Sequence, residues 1–200
     1  MKLSRLFAAR RNRDAARENS GGEMLSEVFE ALGEPWQEVT SGKFVAAAVG
    51  LLLLFLVLVF DKDGFIFLLD DANLVFHEAG HPIFGLFGET PGLYGGTIGQ
   101  LVFPLVALAI FLMRREPVSF ALAGVWLSEN FLNIARYMAD ARAQVLPLVG
   151  GGEHDWTEIF SRWHVLAYDT RIAGFVTFVG WTGMIAMALW LAWRWQEDRR

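Results

Sequence analysis

Between Lys43 and Asp61 the chain runs for seventeen residues, Phe44 to Phe60, without one charged side chain. A run of that length and apolarity is just enough to cross a bilayer as a helix. Peptide groups in hydrocarbon must find their partners inside the segment, which a helix provides. Further apolar stretches follow at 98–113, 118–138 and 172–194, and a mixed one lies at 64–87. The expected fold is therefore all-α: a polytopic membrane protein with four or five membrane-spanning or re-entrant helices. Hydrophobic residues at 54% of the chain, with eight Trp and seventeen Phe, agree with that class and not with an ordinary soluble domain.

The chain divides at about residue 42. Lys2, Arg5, Arg10, Arg11, Arg13 and Arg17 form a basic tail, and Glu18 to Glu38 carries six acids and no base. The tail suits anionic lipid and sets topology. Its arginines lack interleaved aromatics and adjoin the acidic block, so nucleic acid is not an expected partner. Leu25, Val28, Phe29 and Leu32 fall at i, i+3, i+4 and i+7, which predicts an N-terminal amphipathic helix ended by Gly33 and Pro35. Residues 1–42 thus read as a cytoplasmic region, and 43–196 as the helical membrane domain. The apolar run begins too late for a signal peptide, so the expected location is an integral membrane protein with a cytoplasmic N-terminus, in a bacterial-type inner membrane if the source is prokaryotic.

The 64–87 segment holds Asp70, Asp71, Asn73, His77, Glu78 and His81. Each central charge costs about 2.5–3.5 kcal/mol on insertion scales, so this segment cannot face lipid all round. At 100° per residue Asp70, Asn73, His77, Glu78 and His81 share one face. His77-Glu78-Ala79-Gly80-His81 is an H-E-x-x-H motif: two imidazoles four apart on a helix can bind one metal ion, with the Glu beside them as general base. Cysteine is absent, so any metal is held by His, carboxylate or water. Pro82 cannot donate to the Glu78 carbonyl, so the helix should kink or stop just after the motif.

A second polar stripe, Glu129, Asn133, Arg136, Tyr137 and Asp140, lies along the 118–138 span, and two such stripes are most economically buried against each other. Glu129 could reach a metal or pair with Arg136 or a histidine. Between the spans, 88–97 reads as a glycine-rich loop. Residues 141–171 read as a polar connection holding an interfacial helix, on which Trp156, Ile159, Phe160 and Trp163 form one apolar face. Asp155 with Glu158 resembles a helix-capping box. His154, after three glycines, could swing over the motif helix, whereas His164 reads as interfacial without chemistry.

The motif in a membrane segment resembles membrane-embedded zinc metalloproteases, of which the site-2 proteases are the best-known family. That resemblance implies Zn2+ held by His77 and His81, with Glu78 as general base. The family's Asn-Pro and Leu-Asp-Gly elements are missing here, and Asp140 is the nearest analogue of its aspartate ligand. Soluble relatives of the thermolysin type use a Glu on a later helix, a place Glu129 would fit. The third ligand is thus open among Asp140, His154 and Glu129. The expected activity is hydrolysis of membrane-associated peptides. The alternative is a non-catalytic metal-binding membrane protein, an assembly or scaffold factor, in which Glu78 orients an imidazole. An ion pathway along the stripes is disfavoured by the few spans and the absence of an inverted repeat. Four crossings would divide Lys and Arg twelve to five between the two sides, and five crossings eleven to six. Four are preferred because they put the His154 loop on the side from which the motif helix enters.

Overall fold

The computed structural model describes residues 22, 24, 26–60, 66–149 and 154–200. The described residues are helical, without a strand: α1 (Ser41–Phe60), α2 (Leu69–Gly85), α3 (Glu89–Met113), α4 (Pro117–Ala139), α5 (Asp155–Arg162), a 3-10 turn (Leu166–Tyr168) and α6 (Asp169–Glu197). Among the described residues, four helices are long and apolar enough to cross a membrane: α1, α3, α4 and the segment Leu166–Glu197 that contains α6. This marks the chain as a helical membrane protein. Outward side chains such as Leu52, Leu53, Phe175, Phe178 and Leu189 are exposed, as lipid-facing positions must be.

The crossing helices run alternately. α1 lies antiparallel to α6, with Phe44 stacked on Trp195 at 4.1 Å and Phe55 on Trp181 at 5.8 Å. On one face, the terminal face, Val39 N–H donates to Asp198 Oδ2 (2.9 Å), Gln37 N–H donates to the Arg115 carbonyl (2.9 Å), and Trp36 packs on Phe120 and Trp190. The start of α1, the end of α3, the start of α4 and the end of α6 therefore meet there. At the opposite face Arg142 pairs with Asp169 (2.7 Å) and Trp163 Nε1–H donates to the Tyr94 hydroxyl (2.9 Å). The end of α4, the starts of α3 and α6, and α5 gather at that end.

α2 packs antiparallel along α3, with Phe76 stacked on Phe103 at 3.8 Å near mid-helix and Gly85 beside Gly92 at the α3 start. With 17 residues, α2 is about 25 Å long, short of the roughly 30 Å hydrocarbon core. α2 begins beside the middle of α3 and α4 and ends at the opposite face, beside the α3 start. This is the re-entrant arrangement. The helix runs through Pro82 to Gly85, three residues past the expected stop.

The structure corrects three expectations. The expected loop 88–97 is helical from Glu89, so the 98–113 span begins a full two turns earlier. The reason is packing: Gly80, Gly95 and Gly99 bring the backbones of α2 and α3 into contact, and a Cβ on Gly80 would overlap the Gly95 carbonyl. Small residues at a helix interface do in lipid what turn glycines do in water. Of the α5 face expected at the lipid interface, Trp156, Ile159 and Phe160 are instead buried with Ile134, Ala135, Met138 and Ala173, whereas Trp163 is 50% exposed. The remaining boundaries shift by a few residues, as fraying ends do. Residues 26–33 are helical, with Val28 half-buried and Phe29 72% exposed. The basic tail lies outside the described residues.

Replacing Gly80 with Ala should overpack the α2–α3 seam and cost about 1–3 kcal/mol. Gly85→Ala, where a Cβ meets nothing, should stay within about 0.5 kcal/mol of the parent. Thermal unfolding in detergent checks this pair, and equal midpoints would contradict the close-packed seam.

Candidate metal centre

The two polar stripes meet. Asp70 Oδ2 accepts the Ile66 N–H (2.5 Å), closing the first turn of α2, and Oδ1 accepts from Asn133 Nδ2 (2.5 Å). Asn73 Nδ2 donates to Glu129 Oε2 (3.0 Å), and Asn73 Oδ1 accepts from Trp126 Nε1 (2.9 Å) and Asn130 Nδ2 (3.2 Å). Asp70, Asn73, Glu129 and Asn130 are all at most 2% exposed. A buried polar network of this kind is sound only when its members are satisfied, and it fixes the rotation of α2 against α4.

That rotation aims His77 and His81 at α3. His77 Nδ1–H donates to Gln100 Oε1 (2.9 Å), and His81 Nδ1–H donates to the Gly92 carbonyl (2.9 Å). The Gln100 amide is oriented by its own Nε2, which donates to Asn130 Oδ1 (3.3 Å). Both outer nitrogens donate, so in the neutral rings each Nε2 presents a lone pair, and the two Nε2 atoms face each other at 3.2 Å. Asp155 Oδ2 completes the triangle, 3.0 Å from His77 Nε2 and 3.2 Å from His81 Nε2. Three acceptor atoms so placed need a proton or a metal cation between them. Neighbouring donors on a tetrahedral zinc ion are separated by roughly 3.3 Å, given bond lengths near 2.0–2.1 Å. The triangle has that size. His77, His81 and Asp155 form the metal-capable group among the described residues.

Gly96 provides an independent gauge. A Cβ built there would stand 2.5 Å from Nε2 of both histidines, so a side chain at this position would displace the imidazole pair. The α3 backbone leaves this space because residue 96 has no side chain. Metal-bound imidazoles characteristically donate their other N–H to a carbonyl or carboxylate, which fixes tautomer and ring orientation; Gln100 and the Gly92 carbonyl do so here.

The three sequence candidates for the third ligand lie elsewhere. Glu129 is held by Asn73 in the network below the site. Asp140 binds the chain that follows it, accepting from Val145 N (2.9 Å) and Leu146 N (3.0 Å). His154 is the N-cap of α5, where Nδ1 accepts the Thr157 N–H (3.3 Å), and its Nε2 lies 3.5 Å from Asp140 Oδ2. Burial pushes the His154 imidazole below its usual pKa, against the pull of the Asp140 carboxylate, which suits a neutral capping acceptor. The expected roles are thus exchanged. Asp155, which reads as the cap, sends its carboxylate to the imidazole pair because His154 takes the cap instead.

Two connected clefts, of about 600 and 360 Å³, flank the triangle. Asp70, Gln100, Asn133 and Arg136 line the deep arm, and His81, His154, Asp155 and Glu158 the shallow one. Half-buried Glu78 lines both, as do Leu148 and Val149. Gln100, Gly92, Gly96 and Asp155 were not legible as site residues, although Gln100 is the one polar side chain in 98–113. No family model, curated protein or solved structure matches this chain.

Purified protein should bind one zinc per chain. His77→Ala and Asp155→Ala should each lose it, whereas Asp140→Ala and Glu129→Gln should keep it. Gly96→Ala, which touches no ligand chemistry, should also exclude the metal. Elemental analysis after dialysis reads all five, and full zinc in Gly96→Ala would contradict the site as drawn.

Proposed function

We propose that this chain is a zinc-dependent membrane metallopeptidase that hydrolyses membrane-associated peptides, in the manner the likeness to site-2 proteases implies. The observation that carries the reading is the His77–His81–Asp155 triangle with Glu78 lining the cleft beside it. Zinc in that position supplies a Lewis acid and lowers the pKa of the water it holds. His77, His81 and Asp155 would hold the ion, and a set of three protein ligands is the pattern of a catalytic site. Glu78 takes the proton of the attacking water at its carboxylate and delivers it to the leaving amine. Leu148 and Val149 add apolar lining to the cleft.

Orientation follows from charge. Among the described residues Lys43, Arg114, Arg115, Arg194, Arg199 and Arg200 flank the helix ends at the terminal face, and Arg136, Arg142, Arg162 and Arg171 lie toward the other. The positive-inside rule puts the terminal face in the cytoplasm. The site then sits just beneath the outer surface, one turn from the end of α2, and receives peptides near that surface.

One observation favours a second reading. The third donor comes from α5, so a metal would tie the re-entrant helix to a separate segment and could serve stability alone. Comparison of Glu78→Gln with wild type in proteoliposomes separates the two. The peptidase reading expects retained zinc and cleavage reduced by about 10²–10⁴-fold. Equal cleavage by Glu78→Gln would refute it. Wild type that holds zinc yet cleaves no membrane peptide would favour the stabilising role.

A further inference from the structure

A peptidase of this kind needs a donor for the negative charge that develops on the substrate carbonyl oxygen. Five residues line both arms of the cleft: His77, Glu78, Tyr137, Leu148 and Val149. His77 is engaged through both ring nitrogens, Glu78 is an acceptor, and the other two have apolar side chains. Tyr137 is the remaining polar side chain at this waist.

Its position is tightly held. Tyr137 is the third residue from the end of α4. The ring lies against His154 at 4.1 Å and edge-on to His77 at 5.8 Å and 75°. The hydroxyl oxygen accepts the Asp155 N–H at 3.2 Å, which places it beside the third donor of the triangle. A phenol has one hydrogen and can accept as well as donate. The contact with Asp155 uses the oxygen as acceptor and leaves the hydrogen for the cleft. Nearby cations are otherwise committed: Arg142 forks onto Asp169, and Arg162 is taken by Glu158 and Glu89. Arg136 lies in the deep arm.

We propose that Tyr137 donates its hydroxyl hydrogen to a carbonyl oxygen bound at the metal centre, acting as the oxyanion donor of the site. This rests on the peptidase reading for its catalytic meaning, but the hydrogen bond itself can be read with a small carbonyl ligand. A fixed donor in a low-dielectric cleft needs no reorganisation during the reaction, and such donors are worth about 10²–10³ in kcat. The rival role is structural, the hydroxyl merely holding the Asp155 main chain.

The test uses full-length protein in detergent, loaded with Co2+ and titrated with acetohydroxamate, whose carbonyl oxygen binds metals. Cobalt absorption reports both metal and hydroxamate binding. Tyr137→Phe keeps the ring and removes the hydroxyl. The expected result is unchanged cobalt affinity with hydroxamate affinity about tenfold weaker, the loss of one hydrogen bond to a charged group. Unchanged hydroxamate affinity overturns the proposal. So does a matching fall in cobalt affinity, which assigns the hydroxyl to Asp155 alone, and so does a wild type that takes up no cobalt. If the hydroxamate effect is present while no peptide is cleaved, the donor assignment stands and the peptidase reading fails. Where peptides are cleaved, Tyr137→Phe should lower kcat about 10²-fold with little change in KM.

Discussion

The nearness of the α3 backbone to α2 is the constraint on which the site depends. Gly80 lies against Gly95 and Gly99, and Gly96 lies over the two imidazoles. At that separation the Gly92 carbonyl reaches His81, and Gln100 reaches His77. Bulkier residues would push α3 outward, and both imidazoles would lose the partner that sets their tautomer. Lone pairs pointing inward are thus a consequence of helix packing. The hairpin supplies two donors, and α5 brings the third.

Depth in the bilayer explains the rest of the polar inventory. Asp70, Asn73, Glu129 and Asn130 are buried among one another near the middle of α4 and the start of α2. They have no evident part in metal binding, yet a short re-entrant helix needs something other than apolar contact to hold it in lipid. Hydrogen bonds between facing polar stripes provide that hold and fix the rotation of α2. Closer to the surface, Asp140 and His154 order the turn before and after the glycine stretch. Together these groups set where Asp155 stands.

Periodicity made the motif helix legible. His77, Glu78 and His81 are close in sequence, so one helical turn suffices to bring them together, and the polar stripe from Asp70 follows the same arithmetic. Facing stripes on α2 and α4 were also readable, since lipid satisfies neither. The third donor was hidden for a physical reason: local capping rules explain Asp155 and Glu158 without any metal, and only tertiary contact reveals that His154 takes the cap. The glycine segment before Ile98 misled similarly. Glycine and proline break helices in water, whereas in a membrane bundle they mark where two backbones touch. Gln100 and Gly96 act through that contact, which no local pattern encodes.

X-ray absorption at the zinc K-edge of the purified protein measures the centre most directly. The expected result is a four-coordinate ion with two imidazoles and oxygen donors, at about 2.0–2.2 Å. Zinc bound through a single imidazole, through three, or not at all would contradict the His77–His81–Asp155 centre.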